Sequence, residues 1–277
     1  MSKINSKIKS GFAPINGASI FYEMKGKGEP LVFVHGMGLD CRMWDDQFLE
    51  FAKYFQVMRY DQRGYGKSSL PTKEPYSHHE DLFVLLDYLK IPNANLIGLS
   101  MGGRIVIDFA LIFPDRALSL ILADSVVHGY VFKTFSLEKV FLAAKESGIE
   151  GANKAWVEHE LCDSAKKIPA VASALKTMNE SYSGWHWVNK NPWIPLVPPA
   201  IEQLDKIKQR TLIIIGQLDL PDFHNMADIL SKKIVQSQKI EFPNVGHMSN
   251  MENPSLFNKN VLTFLFKNIN YPLQHES

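Results

Sequence analysis

The 277-residue sequence predicts an α/β fold, with parallel strands covered by helices on both faces and a helical segment inserted late in the chain. Three observations predict it. Short, continuous Val/Ile/Leu runs recur with helical patterns between most of them, as strands buried on both faces require. Residues able to do chemistry fall just past the carboxyl ends of those runs, the edge where open α/β sheets place their sites. From Val126 to about Ala200 the runs stop and only helical patterns remain, between two strand repeats.

The elements follow in order. Residues 18–24 alternate weakly and read as an edge strand leading into the Gly26-Lys27-Gly28 turn. The run 30–34 ends at His35-Gly36, 56–60 at Asp61, 95–99 at Ser100, and 118–123 at Asp124-Ser125. The run 211–215 ends at Gly216 with Asp219 just beyond, and 239–242 ends shortly before Gly246-His247. Helical patterns cover 76–90, stopped by Pro92, and 103–113, closed by Pro114, with two more at 222–233 and 254–267. In the insertion they cover 137–147, 153–161 and 169–180, before Trp185-His186-Trp187 and a proline-rich stretch at 192–199. The chain therefore divides into a core, residues 1–125 with 201–277, and a helical cap, 126–200. The first ten residues are polar and are expected to be loose.

Composition narrows the function. The chain is 45% hydrophobic and 21% charged with a formal net charge of +1, an ordinary globular balance with no basic patch or acidic tail. Nucleic acid is not expected as a partner, and no apolar run is long enough to span a membrane. Lys3, Lys7 and Lys9 precede no apolar stretch of the kind a signal peptide carries. Two cysteines, Cys41 and Cys162, fit a reducing, cytoplasmic setting better than a disulfide framework. The expected partner is a small-molecule substrate, for a monomer or homodimer.

Ser100 stands in Gly98-Leu99-Ser100-Met101-Gly102, after an apolar run and before a helical pattern. Strand, sharp turn and helix make this G-x-S-x-G a nucleophile elbow, with glycines where the turn is too tight for side chains. A serine hydroxyl needs a base, and the base needs a carboxylate to orient it. His247 follows Gly246 after the last strand, whereas His35 reads as structural and the adjacent His78 and His79 point to different helix faces. Asp219, in Gly216-Gln217-Leu218-Asp219, is the favoured acid, Asp124 its rival, and Asp222 the cap of the next helix. Asp61-Gln62-Arg63-Gly64 reads as a salt-bridged loop. A negative tetrahedral oxygen needs two donors, expected from the Met101 amide and the Met37 amide in His35-Gly36-Met37-Gly38.

Together, His35-Gly36-Met37-Gly38, Asp61-Gln62-Arg63-Gly64-Tyr65-Gly66-Lys67-Ser68, the elbow, and Gly216-Gln217-Leu218-Asp219 with Gly246-His247 resemble the α/β-hydrolase superfamily. The resemblance spans nearly the whole chain except the cap. It implies a mostly parallel sheet of about eight strands, a Ser100–Asp219–His247 triad and an oxyanion hole of the Met37 and Met101 amides. Within the superfamily the pattern is similar to capped serine esterases, enol-lactone hydrolases and carbon–carbon bond hydrolases, with a cofactor-free haloperoxidase-like elbow. Serine at the elbow argues against the haloalkane dehalogenases and epoxide hydrolases, which place aspartate there.

The expected reaction is acyl transfer to water through an acyl-enzyme on Ser100, with neither metal nor organic cofactor. Trp185, Trp187, Trp193, Phe132 and Phe135, with Trp156, are candidates to wall an apolar pocket above the serine. The stretch 185–200 carries few charges, so an uncharged ligand is expected, and Arg104 is expected to be solvated or salt-bridged. Alternatives are a carbon–carbon bond hydrolase, a cofactor-free haloperoxidase-like member with the same triad, a lyase or cofactor-free oxygenase using His247 as base and little of Ser100, and a non-hydrolytic receptor on the same fold.

Overall fold

In the computed structural model, which describes residues 7–267, the apolar runs become strands of one sheet. The strands are β1 (Lys9–Ile15), β2 (Ala18–Lys25), β3 (Pro30–Val34), β4 (Gln56–Tyr60), β5 (Ala94–Leu99), β6 (Ala117–Ala123), β7 (Arg210–Gly216) and β8 (Ser237–Phe242). They form an eight-stranded sheet in the order β1-β2-β4-β3-β5-β6-β7-β8. The β1–β2 and β2–β4 pairs are antiparallel, and the rest of the sheet is parallel.

Two sequence expectations are corrected at the amino end. Lys9 and Ser10 belong to a strand rather than a loose tail, and β1, not residues 18–24, forms the edge. The two strands are joined by Asn16-Gly17, both at positive φ (45° and 75°), with Ile15 paired to Ala18. That is the two-residue hairpin whose twist matches its strands. Residues 1–6 and His275 lie outside the described residues.

The helices are α1 (Asp45–Phe51), α2 (His78–Tyr88), α3 (Met101–Ile112), α4 (Glu138–Val157), α5 (Pro169–Ser181), α6 (Trp185–Val188), α7 (Pro221–Lys233), α8 (Ser249–Glu252) and α9 (Pro254–Phe266). Alternate residues of a strand point to opposite faces. Val32, Val34 and Leu96 accordingly join Leu85, Val106, Phe109 and Met226 in one core. Leu31, Phe33 and Ile97 join Phe48, Phe51, Phe257 and Val261 in the other. Between β6 and β7 the described residues contribute helices and no sheet strand; α4 is broken at Gly148 (φ 64°). No helix among the described residues is long and apolar enough to cross a membrane. Both Cys41 and Cys162 are buried and unpaired.

Two polar residues do other work than their spacing predicts. Among the described residues Asp61 makes no salt bridge: its carboxylate accepts the Cys41 and Lys67 amides, both at 2.8 Å. The buried ion pair in this loop is Arg63 with Asp81, Nη2 to Oδ1 at 2.8 Å and Nε to Oδ2 at 3.0 Å. Asp222 does not cap α7, whose cap position is Leu220. Instead it accepts the Lys133, Thr134 and Phe135 amides, at 3.1, 2.7 and 2.8 Å, and the Thr134 and Tyr130 hydroxyls, both at 2.9 Å. Burial works against its charge, yet these donors hold its pKa far below the usual carboxylate range. Asp222→Ala is therefore expected to cost about 2–4 kcal/mol in thermal or denaturant unfolding. Hydrogen exchange at the amides of Lys133, Thr134 and Phe135 should speed up with it.

Candidate active site

The elbow is built from close approach. Ser100 lies between β5 and α3 at φ 55°, ψ −116°, a conformation that costs a non-glycine residue about 1–3 kcal/mol. A side chain at Gly102 would collide with the Val34 carbonyl, and one at Gly98 with the Gly102 carbonyl. The backbone fixes the turn: the Ser100 amide donates to the Ala123 carbonyl at 2.9 Å, while its carbonyl accepts from Arg104 and Val126 at 3.2 and 3.1 Å.

Two amides stand beside it unspent. Met101 is the first residue of α3, where helix N–H groups have no intrahelical acceptor. Among the described residues, no acceptor takes the Met101 or the Met37 amide. The β3 loop lies against the serine: a Cβ built at Gly36 would stand 3.6 Å from the Ser100 Cβ. His35 secures that loop, accepting from the Gln62 amide at Nε2 (2.9 Å) while its Nδ1 lies 2.8 Å from the Gly36 carbonyl. Burial pushes its pKa down, so it stays a neutral structural group.

His247 and Asp219 meet after β8 and β7. His247 Nδ1 is 2.8 Å from Asp219 Oδ2, with the Asp219 side chain wholly shielded and the His247 side chain 5% exposed. The second Asp219 oxygen accepts the Leu220 amide at 2.7 Å. Burial disfavours the imidazolium, but the Asp219 charge and hydrogen bond outweigh it and raise the His247 pKa above its ordinary 6.5. The histidine loop is held by Glu252 of α8, which accepts the Gly246 and Met248 amides at 2.7 and 3.1 Å and the Ser164 hydroxyl at 2.6 Å.

Asp124, the rival acid, is fully buried at φ 45° and uses Oδ1 to accept the Gly216 amide at 2.8 Å. Burial first, and then the Asp219 charge beside it, push its pKa well above the carboxylate range. A group so held is a poor source of the fixed negative charge that a base needs. Sequence reasoning did not give it this place as the anchor of the loop that carries Asp219.

The aromatic candidates separate. Phe132 and Phe135 pack on Phe223, whose ring lies 4.3 Å from that of His247, so they connect to the site through a residue that the sequence did not single out. Trp156 abuts Gly38 of the β3 loop. Trp187 is enclosed by Phe141, Trp156 and Tyr182 and donates to Asn153 Oδ1 at 2.9 Å. Trp185 is half-buried edge-on to His186. Trp193 lies under the Arg104 guanidinium, 4.2 Å from its carbon to the ring centre. Of the two expectations for Arg104 the salt bridge is not met: among the described residues it has neither ion pair nor side-chain hydrogen bond, and the residue is half-buried with its Nε enclosed.

Asp40, Cys41 and Asp61 bring metal-ligand atoms within 4.8 Å of one another. Their carboxylates are already engaged, Asp61 by two amides and Asp40 by the Arg42 guanidinium at 2.6 Å.

Comparison with known proteins agrees with this fold. The model of a family described as having the alpha/beta hydrolase fold matches residues 29–254. A 2-hydroxy-6-oxononadienedioate/2-hydroxy-6-oxononatrienedioate hydrolase of Comamonas testosteroni is 26% identical across 96% of this chain and 99% of its own. The 3-oxoadipate enol-lactonase 2 of Acinetobacter baylyi is 28% identical across 83% of this chain and 86% of its own. Among solved structures, the enol-lactonase from Burkholderia xenovorans LB400 superposes with a TM-score of 0.76 at 26% identity, covering 92% of this chain and 99% of that one.

Proposed function

The chain belongs to the alpha/beta hydrolase fold family, and from that premise we propose that it is a serine hydrolase opening a small carboxylic ester or lactone through an acyl-enzyme on Ser100. The observation that carries this reading is the shielded 2.8 Å bond from His247 to Asp219 at the same sheet edge as the strained Ser100 elbow.

In the proposed cycle, the Ser100 hydroxyl attacks the substrate carbonyl as His247 Nε2 takes its proton. Asp219 keeps the remaining proton on Nδ1 and stabilises the imidazolium. The free Met101 and Met37 amides receive the oxyanion; one such donor is worth about 10²–10³ in rate. His247 then protonates the departing oxygen and activates water, which releases the acid and restores the serine. Trp156 of the helical segment, against the oxyanion loop, and Phe223 of α7, against His247, supply the apolar wall.

A second reading, cleavage of a carbon–carbon bond by the same residues, is favoured by the Comamonas relative, named for such dienedioate substrates. A fluorophosphonate probe is expected to label Ser100, located by peptide mass spectrometry, and prior labelling should abolish turnover of a panel of esters and enol lactones. Turnover that persists in fully labelled protein would refute the acyl-enzyme. Activity confined to vinylogous diketones would select the second reading.

A further inference from the structure

Arg104 has no task in the acyl transfer just described. It sits in the first turn of α3, about 6 Å along the axis from the Ser100 position that precedes the helix. Its guanidinium faces the helical segment, lying 4.2 Å over the Trp193 ring. Trp193 meets His128 edge-on, ring centres 5.8 Å apart. Tyr65 connects this corner to the reaction centre: its hydroxyl lies 3.8 Å from Met101 Sδ, and it is an electrostatic neighbour of Arg104.

The corner holds buried polar atoms without partners. Arg104 Nε and His128 Nδ1 are both buried without a hydrogen-bond partner among the described residues. Asp108, one turn further along α3, is the carboxylate that bears on Arg104, yet among the described residues it forms no ion pair with it, and its Oδ1 is likewise buried without a partner. Burial opposes the arginine charge, but a guanidinium does not give up its proton in proteins. A half-buried cation with an unused buried donor is costly unless a partner supplies the missing charge.

The geometry points to Arg104, with His128 beside it, as the subsite for an acidic group of the substrate: an ester or lactone bearing a carboxylate about four or five bonds from the carbonyl that Ser100 attacks. The planar guanidinium fork matches a carboxylate with two parallel bonds, and Trp193 holds the fork's face. The charge-poor stretch 185–200 predicts an uncharged ligand; the compensating charge comes instead from the core side, on α3. The kinetic test below rests on the serine-hydrolase reading, and the binding test does not.

Turnover of the 4-nitrophenyl monoester of glutaric acid is compared with that of 4-nitrophenyl pentanoate, a near-isostere without the charge. In Arg104→Met the ratio of kcat/KM for the acidic over the neutral ester is expected to fall about 10–100-fold, the range of a charge-assisted bond. Arg104→Lys, which keeps the charge, should retain most of the preference. Separately, glutarate is titrated calorimetrically into Ser100→Ala and into Ser100→Ala with Arg104→Met, each checked by circular dichroism. Saturable binding to the first and not the second is expected. An unchanged ester ratio in Arg104→Met, or glutarate binding that survives in the double variant, overturns the assignment. If neither ester is turned over by the wild type, the reaction assigned to Ser100 fails, while the calorimetry still decides the subsite.

Discussion

Ser100→Ala is expected to lower kcat by about 10⁴–10⁶-fold while leaving the melting temperature within a few degrees of wild type. The rate loss follows because no other residue of the proposed cycle offers a nucleophile, and a triad works as a unit. The unchanged stability follows from the elbow. The Ser100 backbone bonds to Ala123, Arg104 and Val126 do not depend on the hydroxyl. Alanine bears the same Cβ as serine, so the φ of 55° is neither relieved nor worsened. Steady-state turnover alongside a thermal melt makes the check. Ester hydrolysis at anything near the wild-type rate in a folded alanine variant would remove Ser100 from the chemistry.

The second large effect is at Asp219. Asp219→Asn is expected to cost about 10⁴ in kcat, because an amide NH₂ facing Nδ1 moves the imidazole proton to Nε2, where it can no longer accept from the serine. The pH profile carries a separate sign. His247 acts as a base only when neutral, and its pKa is raised above 6.5 chiefly because the Asp219 charge and hydrogen bond outweigh burial. In the wild type, kcat/KM should therefore fall as pH drops through a midpoint above 6.5 and level off at higher pH. In Asp219→Asn burial remains and the charge is gone, so the midpoint should move to lower pH. A midpoint that does not move would show that Asp219 does not face the working base.

Much of this site was legible because its signals are local. Ser100 and Asp219 each follow a strand whose apolar run is continuous, His247 follows the last strand, and glycines mark the turns. The parallel strands read clearly because both faces are buried, as for Leu31 and Val32 on opposite sides of β3. The β1 strand did not, because its pattern is broken by exposure: Phe12 is 54% exposed while Ala13 is fully buried. Its hairpin signal, Asn16-Gly17, stood in the sequence nonetheless. Other roles depend on partners far along the chain. Asp222 serves a loop about ninety positions earlier, and spacing alone makes it a helix cap. Arg104 reads as an ordinary helix residue until the fold shows its Nε buried with no acceptor among the described residues. Phe223 and Glu252 carry no local mark of the histidine loop that they support.

The torsion at Ser100 sets foldability against chemistry at a single residue. A glycine there would ease the chain and leave nothing to attack a carbonyl; a serine in a relaxed torsion would turn its hydroxyl away from the two waiting amides. The neighbouring strands and helix hold the residue in a state that it would leave if released, so the reagent is ready before any ligand arrives. Readiness of this kind resides in the native architecture as a whole, and partial unfolding around the elbow would forfeit it before the sheet itself came apart.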